Sequence, residues 1–101
     1  MKINLLEVKC AVQYSSTFKR SLKRIIKQGK DINKLNDVLF ILGNNGELDS
    51  KYKNHQLIDD KYYKNCFECH IEPDWLLIYR YENNSLILVM VDTGSHSELF
   101  K

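Results

Sequence analysis

Cys66-Phe67-Glu68-Cys69-His70-Ile71-Glu72-Pro73-Asp74-Trp75-Leu76-Leu77-Ile78-Tyr79-Arg80-Tyr81-Glu82 is the stretch on which the fold turns. Residues 64–72 alternate: Phe67, Cys69 and Ile71 point one way, and Cys66, Glu68, His70 and Glu72 the other, the period-2 pattern of a strand. Pro73-Asp74 breaks the pattern as a tight connection. Residues 75–82 are apolar nearly throughout, as a strand covered on both faces would be. Glu82-Asn83-Asn84 then predicts a hairpin turn, and residues 85–91, Ser-Leu-Ile-Leu-Val-Met-Val, a third strand.

Upstream, residues 8–14, Val-Lys-Cys-Ala-Val-Gln-Tyr, also alternate and predict a strand. Ser15-Ser16-Thr17 supplies N-cap candidates for a helix with apolar Phe18, Leu22, Ile25 and Ile26. Lys19, Arg20, Lys23, Arg24 and Lys27 fall on its other face, and Gly29 ends it. Asp31 caps a second helix carrying Ile32, Leu35, Val38, Leu39 and Leu42, closed by Gly43-Asn44-Asn45-Gly46. Residues 47–62 are polar and aperiodic, a long loop with at most one short extended piece. The order β-α-α-β-β-β predicts an α+β fold, with two helices on one face of a small, mostly antiparallel sheet.

The chain has 101 residues, which sets an expectation of one domain over residues 1–101. No apolar run approaches the roughly 18 residues needed to span a bilayer. The apolar part of Met1–Glu7 is too short for a signal peptide, so a soluble cytoplasmic protein is expected. The three cysteines, Cys10, Cys66 and Cys69, are then expected as reduced thiols. The net charge of +2 conceals an asymmetry: residues 1–30 hold eight Lys/Arg and one acid, residues 31–101 seven Lys/Arg and twelve acids. The basic excess sits on the first helix, where it suits phosphates, an acidic partner protein or simple solvation.

Cys66-Phe67-Glu68-Cys69-His70 matches C-x-x-C-H, the spacing of haem attachment. It lies inside an alternating strand, which sends the two thiols to opposite faces. Strand cysteines used as small hydrophobes are the simpler reading.

Histidine is the side chain suited to giving and taking protons near neutral pH. His55 follows Lys51-Tyr52-Lys53-Asn54, His70 ends a strand, and His96 lies in Gly94-Ser95-His96-Ser97-Glu98-Leu99-Phe100. Asp74 is a carboxylate placed to cap its own turn or to orient a histidine.

Taken together, Tyr52-Lys53-Asn54-His55-Gln56-Leu57, Glu68-Cys69-His70-Ile71-Glu72-Pro73-Asp74-Trp75-Leu76-Leu77-Ile78-Tyr79 and Thr93-Gly94-Ser95-His96-Ser97-Glu98-Leu99-Phe100 resemble the YafQ branch of the RelE/ParE toxin superfamily. The likeness runs from about residue 8 to Phe100, in the family's order and spacing. The resemblance implies the RelE-like microbial ribonuclease fold. It also implies a type II toxin that cleaves mRNA, typically in the ribosomal A site, and that a cognate antitoxin silences. By position, His55, His70, Asp74, Trp75, His96 and Phe100 match the family's active-site residues. The implied chemistry uses neither metal nor cofactor: the ribose 2′-OH attacks the adjacent phosphate, leaving a 2′,3′-cyclic phosphate and a 5′-OH.

Such a reaction needs a base, an acid and cations around the phosphorane. His70 and His96 are expected nearest the scissile phosphate, and Asp74 is expected to orient one of them or act as base. His55 is expected to hold or protonate from the loop. Which histidine is acid and which is base is left open. Trp75 and Phe100 are candidates to stack on a base, a contact of about 1–3 kcal/mol. Family members often carry an arginine just before Glu-Cys-His and another two residues before the final glycine; here these are Phe67 and Asp92. Lys51, Lys53, Lys64 and Arg80 are the candidates to restore that charge. The alternative is a catalytically weak or inactive module that binds an antitoxin-like partner.

Overall fold

The computed structural model describes residues 8–100. In chain order these form β1 (Ala11–Tyr14), α1 (Ser16–Lys27), α2 (Ile32–Gly43), a 3-10 turn (Ser50–Tyr52), β2 (His55–Gln56), β3 (Phe67–Glu72), β4 (Trp75–Glu82), β5 (Ile87–Gly94) and α3 (His96–Leu99). The expected α+β order is present, with two additions, β2 and α3. The sheet runs β1-β5-β4-β3-β2. Its β1–β5 pairing is parallel and the other three are antiparallel.

Each helix begins where a side chain can replace a missing backbone partner. Ser15 Oγ accepts from the Phe18 N–H, and Asp31 from the Asn33 N–H. Gly29, at φ +83°, takes the left-handed conformation that ends α1 without steric cost. Phe18, Ile25, Leu35, Val38, Leu39 and Leu42 pack against Cys69, Leu77, Tyr79, Leu88 and Met90 on one sheet face.

The opposite face is covered as well. Cys66, Leu76, Ile78 and Leu99 pack there, with Leu57, Tyr63, Val91 and Phe100 beside them. This second layer explains the unbroken apolar run of β4, whose Leu76 and Ile78 face away from the helices and are still buried. Cys66 and Cys69 fall on opposite faces, both free and buried, so the C-x-x-C-H spacing brings no pair of thiols together.

One expectation of alternation fails. The β3–β4 register shifts between His70 and Glu72. This bulge turns Glu72 away from His70 to the helix side, where Lys30 and Lys34 reach it at 3.3 and 2.7 Å. Among the described residues, no helix is long and apolar enough to cross a membrane.

Candidate active site

Glu68 and His70 stand two residues apart on β3 and share a face. β2 brings His55 directly opposite Glu68. Glu68 Oε1 lies 3.4 Å from His70 Nε2 and 3.6 Å from His55 Nε2. The Glu68 side chain is only 7% exposed, whereas that of His55 is 52% exposed. A carboxylate withdrawn from water this far needs partners, and two imidazole edges supply them. At the far edge of each ring, Nδ1 meets a carbonyl oxygen, Lys53 O at 2.9 Å for His55 and Pro73 O at 3.3 Å for His70. Carbonyls only accept, so both Nδ1 atoms donate.

The chain before β2 is shaped for this contact. Lys53 sits at φ 50°, ψ 42°, a left-handed conformation that a lysine adopts only at a cost of about 1 kcal/mol. Its carbonyl receives the His55 ring. Tyr79 OH donates to Asn54 Oδ1 at 2.6 Å and fastens the same segment to the sheet.

His96 is delivered by α3. Ser95 and Glu98 form a capping box, each side chain bonded to the other's backbone N–H. Arg24 Nε meets Glu98 at 3.0 Å and ties α3 to α1. Together these hold the Glu98 carboxyl below its ordinary pKa, the Ser95 backbone N–H contributing most. Asp74 Oδ1 accepts from the His96 backbone N–H at 2.9 Å. Asp74 therefore places the histidine through its main chain and leaves the ring untouched. That ring lies 4.9 Å from the Phe100 ring, and among the described residues its nitrogens have no hydrogen-bond partner.

The β3–β4 turn is the common anchor. Pro73 offers its carbonyl to His70, and Asp74, the next residue, caps His96. Across the sheet, His70 pairs with Leu76 and Leu76 with Gly94, two residues before His96. Two groups result, His55 and His70 on Glu68, and His96 with Asp74 and Phe100, joined through the β3–β4 turn. His70 lines one hollow and Asp74 a separate one with Ser95 and Ser97.

The remaining candidates divide. Lys53 lines a cleft of about 400 Å³ with Lys34, Lys51, Tyr52 and His70. Lys64 lines a different hollow, with Leu57, Ile58, Asp59 and Asp60. Arg80 is engaged by Glu82 at 2.7 Å. Neither is brought to the histidines. Trp75 requires a correction: it is 0% exposed, and its Nε1–H donates to Thr93 Oγ1 at 2.9 Å. With the ring fully buried and Lys30 Nζ 5.9 Å over it, Trp75 cannot stack on a base, and Phe100 is the remaining aromatic candidate.

Phe67 stacks on Tyr79 at 5.6 Å on the helix side. Asp92 is buried, accepting from Ser21 Oγ at 2.5 Å and from the Thr93 N–H at 2.8 Å. Both positions serve packing here. Glu68, by contrast, joins two of the candidate histidines, a role that its place in an alternating strand does not reveal. Its spacing of two from His70 was the available signal.

The family model for the bacterial toxin of type II toxin-antitoxin systems, YafQ, matches residues 10–101. The mRNA interferase toxin YafQ of Escherichia coli strain B / BL21-DE3 is 37% identical over 90 residues, 88% of this chain and 94% of that protein. The crystal structure of YafQ from E. coli BL21(DE3) matches with a TM-score of 0.81 at 34% identity, covering 91% of this chain and 99% of that one. YafQ in the E. coli DinJ–YafQ complex matches with a TM-score of 0.80 at 35% identity, over 91% and 99% of the two chains.

Proposed function

The chain belongs to the YafQ family of type II toxins, as an mRNA interferase, and we propose that it cuts message on the ribosome, in the A site, with its own acid and base side chains. In this reading residues 1–101 form one toxin domain, working in the cytoplasm with no cofactor. A cognate antitoxin silences it; in support, the relative YafQ occurs in a complex with DinJ. The exposed Lys19, Arg20, Lys23 and Lys27 on α1 offer a basic face to an acidic antitoxin or to ribosomal RNA.

The reaction joins the 2′-oxygen to phosphorus and breaks the P–O5′ bond. The 2′-OH proton passes to a base, and the 5′-oxygen takes one from an acid. His70 and His96 divide these two tasks. Glu68 and Pro73 O fix the orientation of His70, and Asp74 fixes the backbone of His96 while its ring nitrogens stay open to substrate. His55 Nδ1 is committed to Lys53 O, so only its Nε2, which shares Glu68 with His70, can reach the phosphate. Lys51 and Lys53 supply cations in place of the family arginines, and Phe100 stacks on a base.

The observation that carries this reading is the anchoring of His70 and His96 to consecutive turn residues, Pro73 and Asp74. Primer extension on a message translated in vitro tests it. The wild-type chain should generate new 5′ ends, and His70→Ala should abolish them. A soluble wild-type chain that leaves the message intact contradicts it.

A further inference from the structure

We propose that Tyr63 is a positioning residue for the candidate site, setting the His96 ring through the C-terminal turn. Tyr63 lies in none of the motifs that carry the family resemblance. It stands in the segment between β2 and β3, on the sheet face away from the two long helices. Its hydroxyl donates to the Leu99 carbonyl at 3.0 Å, which is the last residue of α3. Its ring meets the Phe100 ring edge-on, with centroids 5.5 Å apart. Phe100 in turn lies against the His96 ring at 4.9 Å. Tyr63 thus reaches His96 by two routes, one through the α3 backbone and one through the Phe100 ring.

Asp92 Oδ2 lies 3.5 Å from the Tyr63 hydroxyl, but the one hydrogen of that hydroxyl goes to the nearer Leu99 carbonyl, and Asp92 has its own partners in Ser21 Oγ and the Thr93 N–H. Burial and the Asp92 charge lift the phenol pKa to about 12, so the proton donated to Leu99 is present across the physiological range. A four-residue helix cannot hold its own geometry. Asp74 and the Ser95–Glu98 box fix the first turn of α3, and Tyr63 fixes its last carbonyl and the ring beyond it.

This inference rests on the ribonuclease reading for its kinetic readout but not for its structural one. Tyr63→Phe keeps the ring and removes only the hydroxyl. On programmed ribosomes it should lower kcat about fivefold, the weight of one buried hydrogen bond, with KM held within about twofold. In NMR spectra of the purified chain, the His96 Cε1–H resonance, lying near the Phe100 ring current, should shift, while those of His55 and His70 stay in place. Ser21→Ala, which frees Asp92 from α1 but leaves Tyr63 on Leu99, should keep wild-type kcat and an unshifted His96. Wild-type kcat in Tyr63→Phe, an unmoved His96 resonance, or equal movement of all three histidines would each overturn the positioning role. Should the wild-type chain cut nothing, the ribonuclease reading fails separately, and the histidine spectra still decide the role of Tyr63.

Discussion

A carboxylate buried between two imidazole edges is costly unless both edges answer it, and Glu68 is such a group. Replacing it by glutamine keeps the shape and removes the charge. Glu68→Gln is expected to lower message cleavage about tenfold, with the melting temperature unchanged or raised, because a buried charge is lost along with its partners' attraction. Cleavage kinetics beside a thermal melt will show it; an unchanged kcat would leave Glu68 a structural residue only. Trp75 makes the opposite prediction. Its ring is fully buried and its N–H bonds Thr93, so Trp75→Phe should cost about 1–2 kcal/mol of stability. Activity per folded molecule should stay near wild type. A selective loss of cleavage without destabilisation would return Trp75 to the substrate.

At the level of elements, the site depends on two short pieces that periodicity does not reveal. β2 has two residues and α3 has four. Neither length carries a repeat, so the former falls inside an aperiodic loop and the latter resembles a tail. The Ser95-x-x-Glu98 spacing of a capping box was a readable sign of α3. The longer elements were legible because alternation in β3, apolar continuity in β4 and helical spacing in α1 and α2 each reflect a large buried face. The bulge that turns Glu72 away from His70 was not, since one extra residue in a strand leaves composition unchanged. The histidines and Asp74 were found by residue type and family motif, whereas the burial of Trp75 depended on the layer packed over it.

The α3 cap also sets a pH dependence. The Glu98 carboxyl is held below its ordinary pKa by the Ser95 N–H first, with Gln28 and Arg24 adding to it. A carboxyl lowered on folding stabilises the fold above its unfolded pKa of about 4.3, and that contribution disappears as pH falls through the folded value. Glu98→Gln should therefore melt earlier than wild type at neutral pH, by about 1 kcal/mol. The difference should narrow at acid pH, as the Glu98 carboxyl becomes protonated in the folded chain. Paired thermal melts at the two pH values provide the check.

Across the whole molecule, charge and site are arranged asymmetrically. Basic side chains crowd α1, while the cleft beside His70 is lined by Lys34, which pairs with Glu72, and by Lys51 and Lys53 at the 3-10 turn. If those two lysines meet RNA phosphates, Lys51→Ala/Lys53→Ala should raise KM with little change in kcat. It should also flatten the dependence of log affinity on log salt by about 1–2 in slope. An unaltered salt slope would remove the cleft from the RNA path. The central claim is that His70 and His96, anchored on one turn, transfer the two protons of a 2′-OH attack. The most direct measurement is the chemistry of the ends left on a translated message. The wild-type chain should leave a 2′,3′-cyclic phosphate facing a 5′-OH, and His96→Gln should leave neither. A 3′-OH facing a 5′-phosphate, or wild-type yields of cut message from His96→Gln, would contradict it.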